Sequence, residues 1–398
     1  MIVLPRPEGP ETEPSGVCHI WEGSAQTVVV RRQTEVMGVM NELIDRGTVM
    51  SLCDQLRLAA PGLTFDRVEA AVPGLDPLNL RARSDLICDA LIADLPGDYA
   101  EVAAIFRKAL SEPGFDGWML WPVTETVVRL ALAADAFEDG LLLLSELTPR
   151  FTGEFAIRPF LDADLSRALA VITPWTRSGD EHVRRLASEG TRPLLPWARR
   201  VPAILESPRS TVPIIDALFR DESETVRRSA ANHLNDLSRH QPDLAVEVAA
   251  GWLANPDAAT PRTVRHAMRT LVKKGHPGAL ALLGFGTASL VVSPIRLESA
   301  SVSMPADLVF DVDITNDSAA SSRLAIDFVI HYVKSNGRHA EKVFKLATKE
   351  LDGGETIRLR KKHRFQQRTT RVHYPGLHVL ELQINGQRHG RSEFHVEV

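Results

Sequence analysis

The stretch Glu-His-Val-Arg-Arg-Leu-Ala at residues 181–187 decides the fold, because it recurs along the chain. Residues 224–230 read Glu-Thr-Val-Arg-Arg-Ser-Ala, and a shorter copy, Thr-Val-Arg-His-Ala, occupies residues 263–267. A spacing of roughly 40 residues is typical of HEAT-like repeats, which are built from paired helices. Each repeat in such a stack buries its apolar face against its neighbours. The sequence therefore predicts a helical solenoid.

Helical periodicity extends well beyond the repeated stretch. Apolar residues recur at three- and four-residue spacing from about residue 34 to residue 285, which indicates amphipathic helices. Breaks such as Pro61-Gly62 and Asn255-Pro256-Asp257 divide this region into segments of about one helix each. We assign residues 31–285 to the HEAT-like domain. Residues 1–30 are rich in Pro, Glu and Gly, and we expect them to form a flexible tail.

The pattern changes to that of β-strands after residue 286. Gly353-Gly354 and Asn385-Gly386 are hairpin signals. Strand patterns cover residues 308–314, 324–333, 342–348, 377–384 and 393–398. Roughly seven short strands in about 110 residues suit an immunoglobulin-like sandwich. The predicted fold class is therefore multidomain α then β: a HEAT-like α-helical solenoid followed by an immunoglobulin-like β-sandwich over residues 286–398.

The charge of the chain is distributed unevenly. The net charge is −5, yet residues 1–176 hold 14 Lys and Arg against 26 Asp and Glu. Residues 177–286 hold 16 against 12, and residues 287–398 hold 16 against 13. The second half can therefore present a basic face to a polyanion. The alternative is an ordinary solvated surface, or arginines that pair with acids of adjacent repeats.

Several functional classes find no support in the composition. Cys18, Cys53 and Cys88 fit neither a disulfide framework nor a zinc pattern, so a reducing cytoplasm is expected. No stretch is long and apolar enough to cross a bilayer, and the first residues do not read as a signal peptide. The histidines show no metal-ligand spacing and no Gly-rich phosphate loop is present. We predict no metal and no cofactor.

Six blocks carry a resemblance to a known family. They are residues 95–99, 155–160, 182–197, 232–236, 265–271 and 369–376. These blocks resemble the AlkC branch of the AlkD-like family of bacterial DNA alkylation-repair glycosylases, and the block at 182–197 is the longest. The resemblance implies removal of cationic methylated bases, such as 3-methyladenine and 3-methylcytosine, from duplex DNA without base flipping.

Trp121 and Glu125 are the first candidate catalytic pair. Their i, i+4 spacing places both on one helix face, and Pro122 suits the first turn of that helix. A carboxylate early in a helix is held ionised by the dipole. The resemblance implies that such an aromatic and acid stabilise an oxocarbenium-like sugar and position a water. The alternative is a core tryptophan beside a surface glutamate.

Glu154 is the second candidate catalytic carboxylate. The resemblance implies that it lies on the same wall of the site as Glu125. The alternative is a capping acid at a helix N-terminus, following Thr152. Trp118, Trp175 and Trp197 are candidate further walls of the sugar site, and packing within the repeats is the alternative for each of them.

The candidate DNA contacts are mostly basic residues of the repeats. Such contacts bind phosphates and position the duplex without reading base identity. We expect about half of the set to touch DNA, because the two arginines of each Val-Arg-Arg stretch point in different directions. The helical set comprises Arg158, His182, Arg184, Arg185, Ser188, Arg192, Trp197, Arg227, Arg228, Arg265, Arg269, Lys273 and Lys274. In the β domain the set comprises Lys361, Lys362, Arg364 and Arg371, with a solvated hairpin as the alternative.

The sequence thus predicts a monomeric DNA N-glycosylase whose partner is double-stranded DNA containing alkylated bases. Two other functions fit the same repeats. One is a non-catalytic HEAT-repeat protein that binds damaged or branched DNA, and the other is a protein-binding scaffold. Release of free methylated base distinguishes the first alternative, and salt-dependent DNA binding distinguishes the second.

Overall fold

The structure is a computed structural model that describes residues 40–367 and 372–397. Within these residues, sixteen α-helices precede nine β-strands. The helices are α1 Arg46–Ala59, α2 Asp66–Ala71, α3 Leu80–Asp94, α4 Tyr99–Ala109, α5 Leu120–Ala133, α6 Phe137–Leu147, α7 Arg158–Ala163, α8 Leu165–Ile172, α9 Glu181–Glu189, α10 Pro202–Glu206, α11 Val212–Leu218, α12 Glu224–Leu237, α13 Pro242–Ala254, α14 Thr260–Ala267, α15 Arg269–Lys273 and α16 Pro277–Leu282. None of the described helices combines the length and the apolar composition that a bilayer span requires.

The recurring stretch lies at the N-terminal end of a helix in its first two copies, and at the C-terminal end of a helix in its third. It opens α9 and α12, and its third copy lies within α14. The valine of each copy, Val183, Val226 and Val264, is buried. The Asp180 carboxylate accepts hydrogen bonds from the backbone N–H groups of the first turn of α9, which satisfies donors that a helix leaves free there. The predicted fold class, a HEAT-like helical solenoid followed by an immunoglobulin-like sandwich, is confirmed.

The chain divides into two compact units, and the division falls inside the helical region. The first unit ends at Leu218 and also includes Glu222–Ser229. The second contains Phe219–Asp221 and the chain from Ala230 onward. The last helices therefore belong to the same compact unit as the β domain. By secondary structure alone, the change from helix to strand falls between α16 and residue 290.

The β domain consists of two sheets that enclose one apolar core. The strands are β1 Leu290–Val292, β2 Arg296–Leu297, β3 Ser301–Ser303, β4 Ala306–Asn316, β5 Ser322–Val333, β6 His339–Leu351, β7 Thr356–Phe365, β8 Gly376–Ile384 and β9 Gln387–Glu397. One sheet contains β1, β4 and β2, with β7 also paired to β4, and the other has the order β3-β9-β8-β5-β6. Phe310 and Phe328 contact edge to face across the core at a centroid distance of 5.4 Å.

The two predicted hairpin turns have different outcomes. Asn385 and Gly386 have φ values of 46° and 82° and join the antiparallel pair β8 and β9, as a two-residue hairpin requires. The prediction of a hairpin at Gly353-Gly354 was wrong. The turn connects β6 to β7, but β6 pairs with β5 and β7 pairs with β4. The chain therefore crosses from one sheet to the other at this point.

Candidate active site and nucleic-acid interface

Trp121 and Glu125 lie one turn apart on α5, as their spacing predicts. The Trp121 Nε1–H donates to Glu125 Oε1 at 3.2 Å. Both residues are buried, and the Glu125 side chain is only 9% exposed. Glu125 is the sixth residue of α5, so the expectation that it lies in the first turn was wrong. Because the effect of the helix dipole fades beyond that turn, another group must stabilise the carboxylate.

That group is Arg81, which reaches Glu125 from α3. Arg81 Nη1 lies 3.1 Å from Glu125 Oε1, and Arg81 Nη2 donates to Glu125 Oε2 at 3.3 Å. The Arg81 Cζ atom also lies 5.8 Å from the ring centroid of Trp121. A bidentate pair fixes the orientation of the carboxylate as well as its charge. No local sequence pattern marks Arg81, which is 44 residues away from Glu125 in the chain.

Aromatic rings form a continuous wall around Trp121. The ring of Phe155 stacks on Trp121 with a centroid distance of 5.8 Å and an interplanar angle of 24°. Trp118 contacts Trp121 at 5.8 Å and Phe151 at 5.2 Å. Of the candidate sugar-site tryptophans, Trp118 is therefore part of this wall. Trp175, in contrast, is buried in the helical region.

Glu154 precedes Phe155 in the chain and meets a different arginine. Arg185 Nη2 lies 2.9 Å from Glu154 Oε2, and the Thr152 hydroxyl donates to the same oxygen at 3.1 Å. Glu154 lies in a turn ahead of α7, so it does not cap the helix. The stacking of Phe155 on Trp121 connects the segment that carries Glu154 to the segment that carries Glu125.

Arg185 also belongs to a buried charge network around Glu189. Arg192 Nη1 lies 2.6 Å from Glu189 Oε1, and Arg185 Nη2 lies 3.9 Å from it. The Ser229 hydroxyl donates to Glu189 Oε2 at 2.6 Å. Burial raises the pKa of Glu189, but the charges of Arg192 and Arg185 and the Ser229 hydrogen bond outweigh it, so that pKa lies below its usual value.

Several predicted DNA contacts are instead internal to the helical domain. Ser188 is fully buried and Arg192 is nearly so. Arg184 is also buried, donating to the carbonyl groups of Ser178 and Gly179 and pairing with Glu222 at 3.2 Å. Ser188 has no exposed surface with which to reach a phosphate, and the guanidinium groups of Arg184 and Arg192 are largely buried in contacts within the domain. The prediction of DNA contacts at Ser188, Arg192 and Arg184 is therefore corrected.

The prediction of a DNA contact at Arg158 is also corrected, because this side chain instead holds the loop that carries Trp197. Arg158 is 1% exposed, and its guanidinium donates to the carbonyl groups of Gly190 and Arg192 at 2.9 Å and of Arg199 at 2.5 Å. These carbonyls flank the segment that carries Trp197. Trp197 is 94% exposed and has a φ of 59°. Arg158 thus fixes a loop that presents an aromatic side chain to solvent.

The other residues of the helical domain that were predicted to contact DNA are exposed to different degrees. Arg228 pairs with Glu224 on its own helix at 2.9 Å, and Arg227 donates to the Glu222 carbonyl. Arg269 donates to the His266 carbonyl at 2.6 Å and to Asn232 Oδ1 at 3.0 Å. His182 is half-buried. The exposed members of the set are Trp197, Arg228, Arg265, Lys273 and Lys274.

The cations of the β domain lie along β7. Arg358, Arg360, Lys362 and Arg364 alternate with less exposed residues and share the exposed face of the strand. Arg364 pairs with Asp307 at 3.4 Å. Lys361 lies at a half-buried position on the opposite face. Arg371 lies outside the described residues. Within the residues described, no group of three or more His, Cys, Asp or Glu side chains is placed to hold a metal ion.

Known proteins match this chain along most of its length. A family model described as the C-terminal Ig-like domain of the uncharacterised protein YhaZ matches residues 291–398. The uncharacterised protein YhaZ of Bacillus subtilis (strain 168) is 33% identical over 365 residues, which span 90% of this chain and all of that protein. The alkylpurine DNA glycosylase AlkC of Pseudomonas fluorescens, bound to DNA containing an abasic site analog, aligns with a TM-score of 0.80. That alignment has 32% identity and covers 90% of this chain and 99% of AlkC.

This chain belongs to the AlkC family. The resemblance that the sequence blocks predict is thereby confirmed, and the family is one of DNA N-glycosylases. The match to AlkC includes the helical domain, while the YhaZ family model accounts for the β domain. The Glu125 site therefore lies in the helical domain, outside the residues that the YhaZ family model matches.

Proposed function

We propose that this AlkC-family protein is a DNA glycosylase that excises cationic N-alkylated bases, of the 3-methyladenine and 3-methylcytosine class, from duplex DNA without base flipping. The observation that carries the proposal is the buried Glu125 carboxylate, held by the Trp121 Nε1–H at 3.2 Å beside stacked aromatic rings. Support for the substrate comes from AlkC, which is an alkylpurine DNA glycosylase and is bound to DNA. The non-flipping mode rests on the family resemblance alone.

The chemistry needs a carboxylate but no general acid. A base that carries a positive charge leaves when its bond to C1′ breaks, because the bonding electron pair neutralises the base. The sugar becomes oxocarbenium-like, and the Glu125 carboxylate and the ring of Trp121 stabilise that charge. Water then adds to C1′ and gives up a proton, for which Glu125 is the acceptor. The products are the free base and an abasic site.

Glu154 supports the same site in a secondary role. Its carboxylate is held by Arg185 at 2.9 Å and by the Thr152 hydroxyl. It fixes the turn that carries Phe155, whose ring stacks on Trp121. We therefore assign Glu125 the contact with the sugar cation and Glu154 the positioning of the aromatic wall and of the water.

DNA is held by the exposed cations and by Trp197. Arg228, Arg265, Lys273 and Lys274 are exposed and suit phosphate contacts. The exposed ring of Trp197 suits stacking on a base or a sugar. The β domain adds the cations of β7, among which Lys362 lies on the exposed face. The protein acts as a monomer in this proposal.

One observation favours a non-catalytic alternative, in which the protein only binds damaged or branched DNA. In the structure Arg81 occupies both oxygens of Glu125, and a neutralised carboxylate stabilises a sugar cation poorly. Direct measurement of the product separates the two functions. Purified protein is incubated with methylated duplex DNA, and the released bases are identified by mass spectrometry.

The glycosylase proposal predicts time-dependent release of 3-methyladenine or 3-methylcytosine, with the duplex left abasic. Retention of the methylated duplex in a mobility-shift assay, without any free methylated base, would establish the non-catalytic alternative instead. Unmethylated duplex of the same sequence is the control for both measurements.

A further inference from the structure

We propose that Arg81 is an internal counter-ion, which occupies the cation site of Glu125 in the free protein and is displaced by a positively charged nucleotide. The inference rests on the proposed function, because it requires Glu125 to bind the sugar or base cation. It makes Arg81, which lies on α3, a specificity-determining residue in addition to the candidate catalytic pair on α5. It also explains why the carboxylate is neutralised in the free protein.

The contacts of Arg81 are those that a bound cation would make. Its two terminal nitrogens lie 3.1 and 3.3 Å from the two Glu125 oxygens. Its Cζ atom lies 5.8 Å from the centroid of the Trp121 ring, within the range of cation–π attraction. A sugar cation or a cationic base needs the same carboxylate and the same ring. Two cations sharing one carboxylate at such distances repel each other, so the entering cation and Arg81 compete.

The position of Arg81 in its helix is unfavourable without a carboxylate partner. Asn79 caps α3 by accepting a hydrogen bond from the backbone N–H of Ala82, so Arg81 is the second residue of the helix. A positive charge in the first turn opposes the helix dipole. At this position Arg81 is therefore stabilised by its acidic neighbours, Glu125 and Asp85.

Arg81 also contacts Asp85, and it can keep this partner when it leaves Glu125. Its Nε lies 3.2 Å from Asp85 Oδ1, one turn further along α3. The Arg81 side chain is 52% exposed, so it can move without disrupting the core. Asp85 in turn lies 3.9 Å from Arg129 Nη2, and Arg129 also pairs with Asp89. Arg129 thus belongs to the same charge network without forming an ion pair with Glu125, so it serves as a matched control.

Arg81 sets how strongly Glu125 prefers a cationic ligand to a neutral one. A positively charged nucleotide replaces Arg81 and restores an ion pair, whereas a neutral nucleotide leaves Arg81 in place and the carboxylate neutralised. Because a cationic ligand must first displace Arg81, Arg81 weakens the binding of every such ligand. The binding of neutral analogues does not require this displacement and is unchanged. Replacing Arg81 with a neutral side chain should increase the preference for a cationic ligand.

The test compares two duplexes that differ only at one nucleotide. One carries a pyrrolidine in place of the sugar, which is protonated at neutral pH, and the other carries a neutral tetrahydrofuran. Affinities are measured by fluorescence anisotropy for the wild type, Arg81→Gln, Arg129→Gln and Glu125→Gln. Because both duplexes share the same phosphates, the ratio of the two affinities cancels any loss of backbone contacts.

We expect Arg81→Gln to increase the preference for the pyrrolidine duplex about tenfold over wild type, and Arg129→Gln to change it less than twofold. Glu125→Gln should bring the ratio close to one. An unchanged or reduced ratio in Arg81→Gln, with Glu125→Gln still abolishing the preference, would overturn the displacement proposal while leaving the proposed function intact. A preference that survives in Glu125→Gln would overturn the assignment of the cation site itself.

Discussion

Glu125 and Glu154 each bind an arginine, but the two ion pairs are built differently. Arg81 is half exposed, lies at the start of a helix and has Asp85 as a second partner. Arg185 is 23% exposed and is held by Glu154, by Glu189 and by the Thr152 hydroxyl. The first arginine can leave its carboxylate at little cost, whereas the second is fixed from three sides.

This difference separates a carboxylate that is available for chemistry from one that supports structure. An ion pair with an exposed arginine contributes little to stability. Removing one partner of a well-buried pair is costly, because the remaining charge is left without compensation. Glu125 therefore suits a site that must accept a new cation, and Glu154 suits a fixed scaffold beneath the aromatic wall.

Among the substitutions that compare the two carboxylates, the largest effect should come from moving the Glu125 carboxylate without removing its charge. Glu125→Asp retracts the oxygens by about 1 Å, away from the Trp121 Nε1–H and from the sugar, and a misplacement of that size costs about 100-fold in rate. Single-turnover excision from methylated duplex DNA measures this loss. Glu154→Asp is the matched control and should lose less than about tenfold. Equal losses in the two variants would show that the carboxylates are equivalent.

Glu154→Gln should reduce the single-turnover rate about tenfold, a typical loss when a supporting partner is changed rather than a group that contacts the reacting atoms. Gln retains the hydrogen bond from Thr152 but weakens the hold of Arg185, so the turn bearing Phe155 becomes less well positioned. The rate should fall without a change in affinity for a tetrahydrofuran duplex. A loss above about 100-fold would instead place Glu154 in direct contact with the reacting sugar.

Arg185→Gln and Arg81→Gln should differ in their effect on stability. Arg185→Gln leaves Glu154 and the buried Glu189 with one partner fewer, so we expect the free energy of unfolding to fall by about 2 kcal/mol. Arg81→Gln should lower it by about 1 kcal/mol, because Arg81 is half exposed although the Glu125 carboxylate that loses its partner is buried. Urea unfolding followed by circular dichroism measures both values. If Arg81→Gln proves the more destabilising, the contrast between the two pairs fails.

Asp327 on β5 offers a third kind of carboxylate, which is buried and has lysines rather than an arginine as its charged neighbours. Burial raises its pKa to about 6, opposed by the charges of Lys345 and Lys273. The cost of ionising it is absent below its ordinary pKa and grows as the pH rises through about 6. A shift of about two pKa units corresponds to about 3 kcal/mol, so Asp327→Asn should stabilise the protein by up to about that amount at pH 7.5 and by less than about 1 kcal/mol at pH 4. A higher Tm at pH 4 but not at pH 7.5 would contradict this sign.

The fold was largely predictable from sequence, because it depends on local periodicity. The repeated stretch predicted the solenoid, and Asn385-Gly386 predicted its hairpin. The turn at Gly353-Gly354 was misassigned because glycine specifies the turn but not which strands pair on either side of it. The burial of Arg184 was also missed. Arg184 lies buried against Glu222 and backbone carbonyls, whereas its counterpart in the next copy, Arg227, is only half-buried.

The candidate site was predictable only where its residues share one helix. Trp121 and Glu125 were found from their spacing together with the resemblance to the AlkC family, and the structure joins them by a hydrogen bond. Arg81 was missed because its contact with Glu125 is between two helices, and no local pattern marks it. Arg158 was misassigned as a DNA contact for the same reason, since its carbonyl partners at Gly190, Arg192 and Arg199 lie more than 30 residues away.

The central claim is that the charge of Glu125 drives excision, and one measurement tests it most directly. The single-turnover rate of base release from methylated duplex DNA is compared between wild type and Glu125→Gln, with affinity for a tetrahydrofuran duplex measured in parallel. Loss of a single charge-stabilising group of this kind costs about 100- to 1,000-fold. The account predicts a loss in that range with affinity for the neutral duplex within about threefold of wild type. Release of methylated base by Glu125→Gln at the wild-type rate would contradict it.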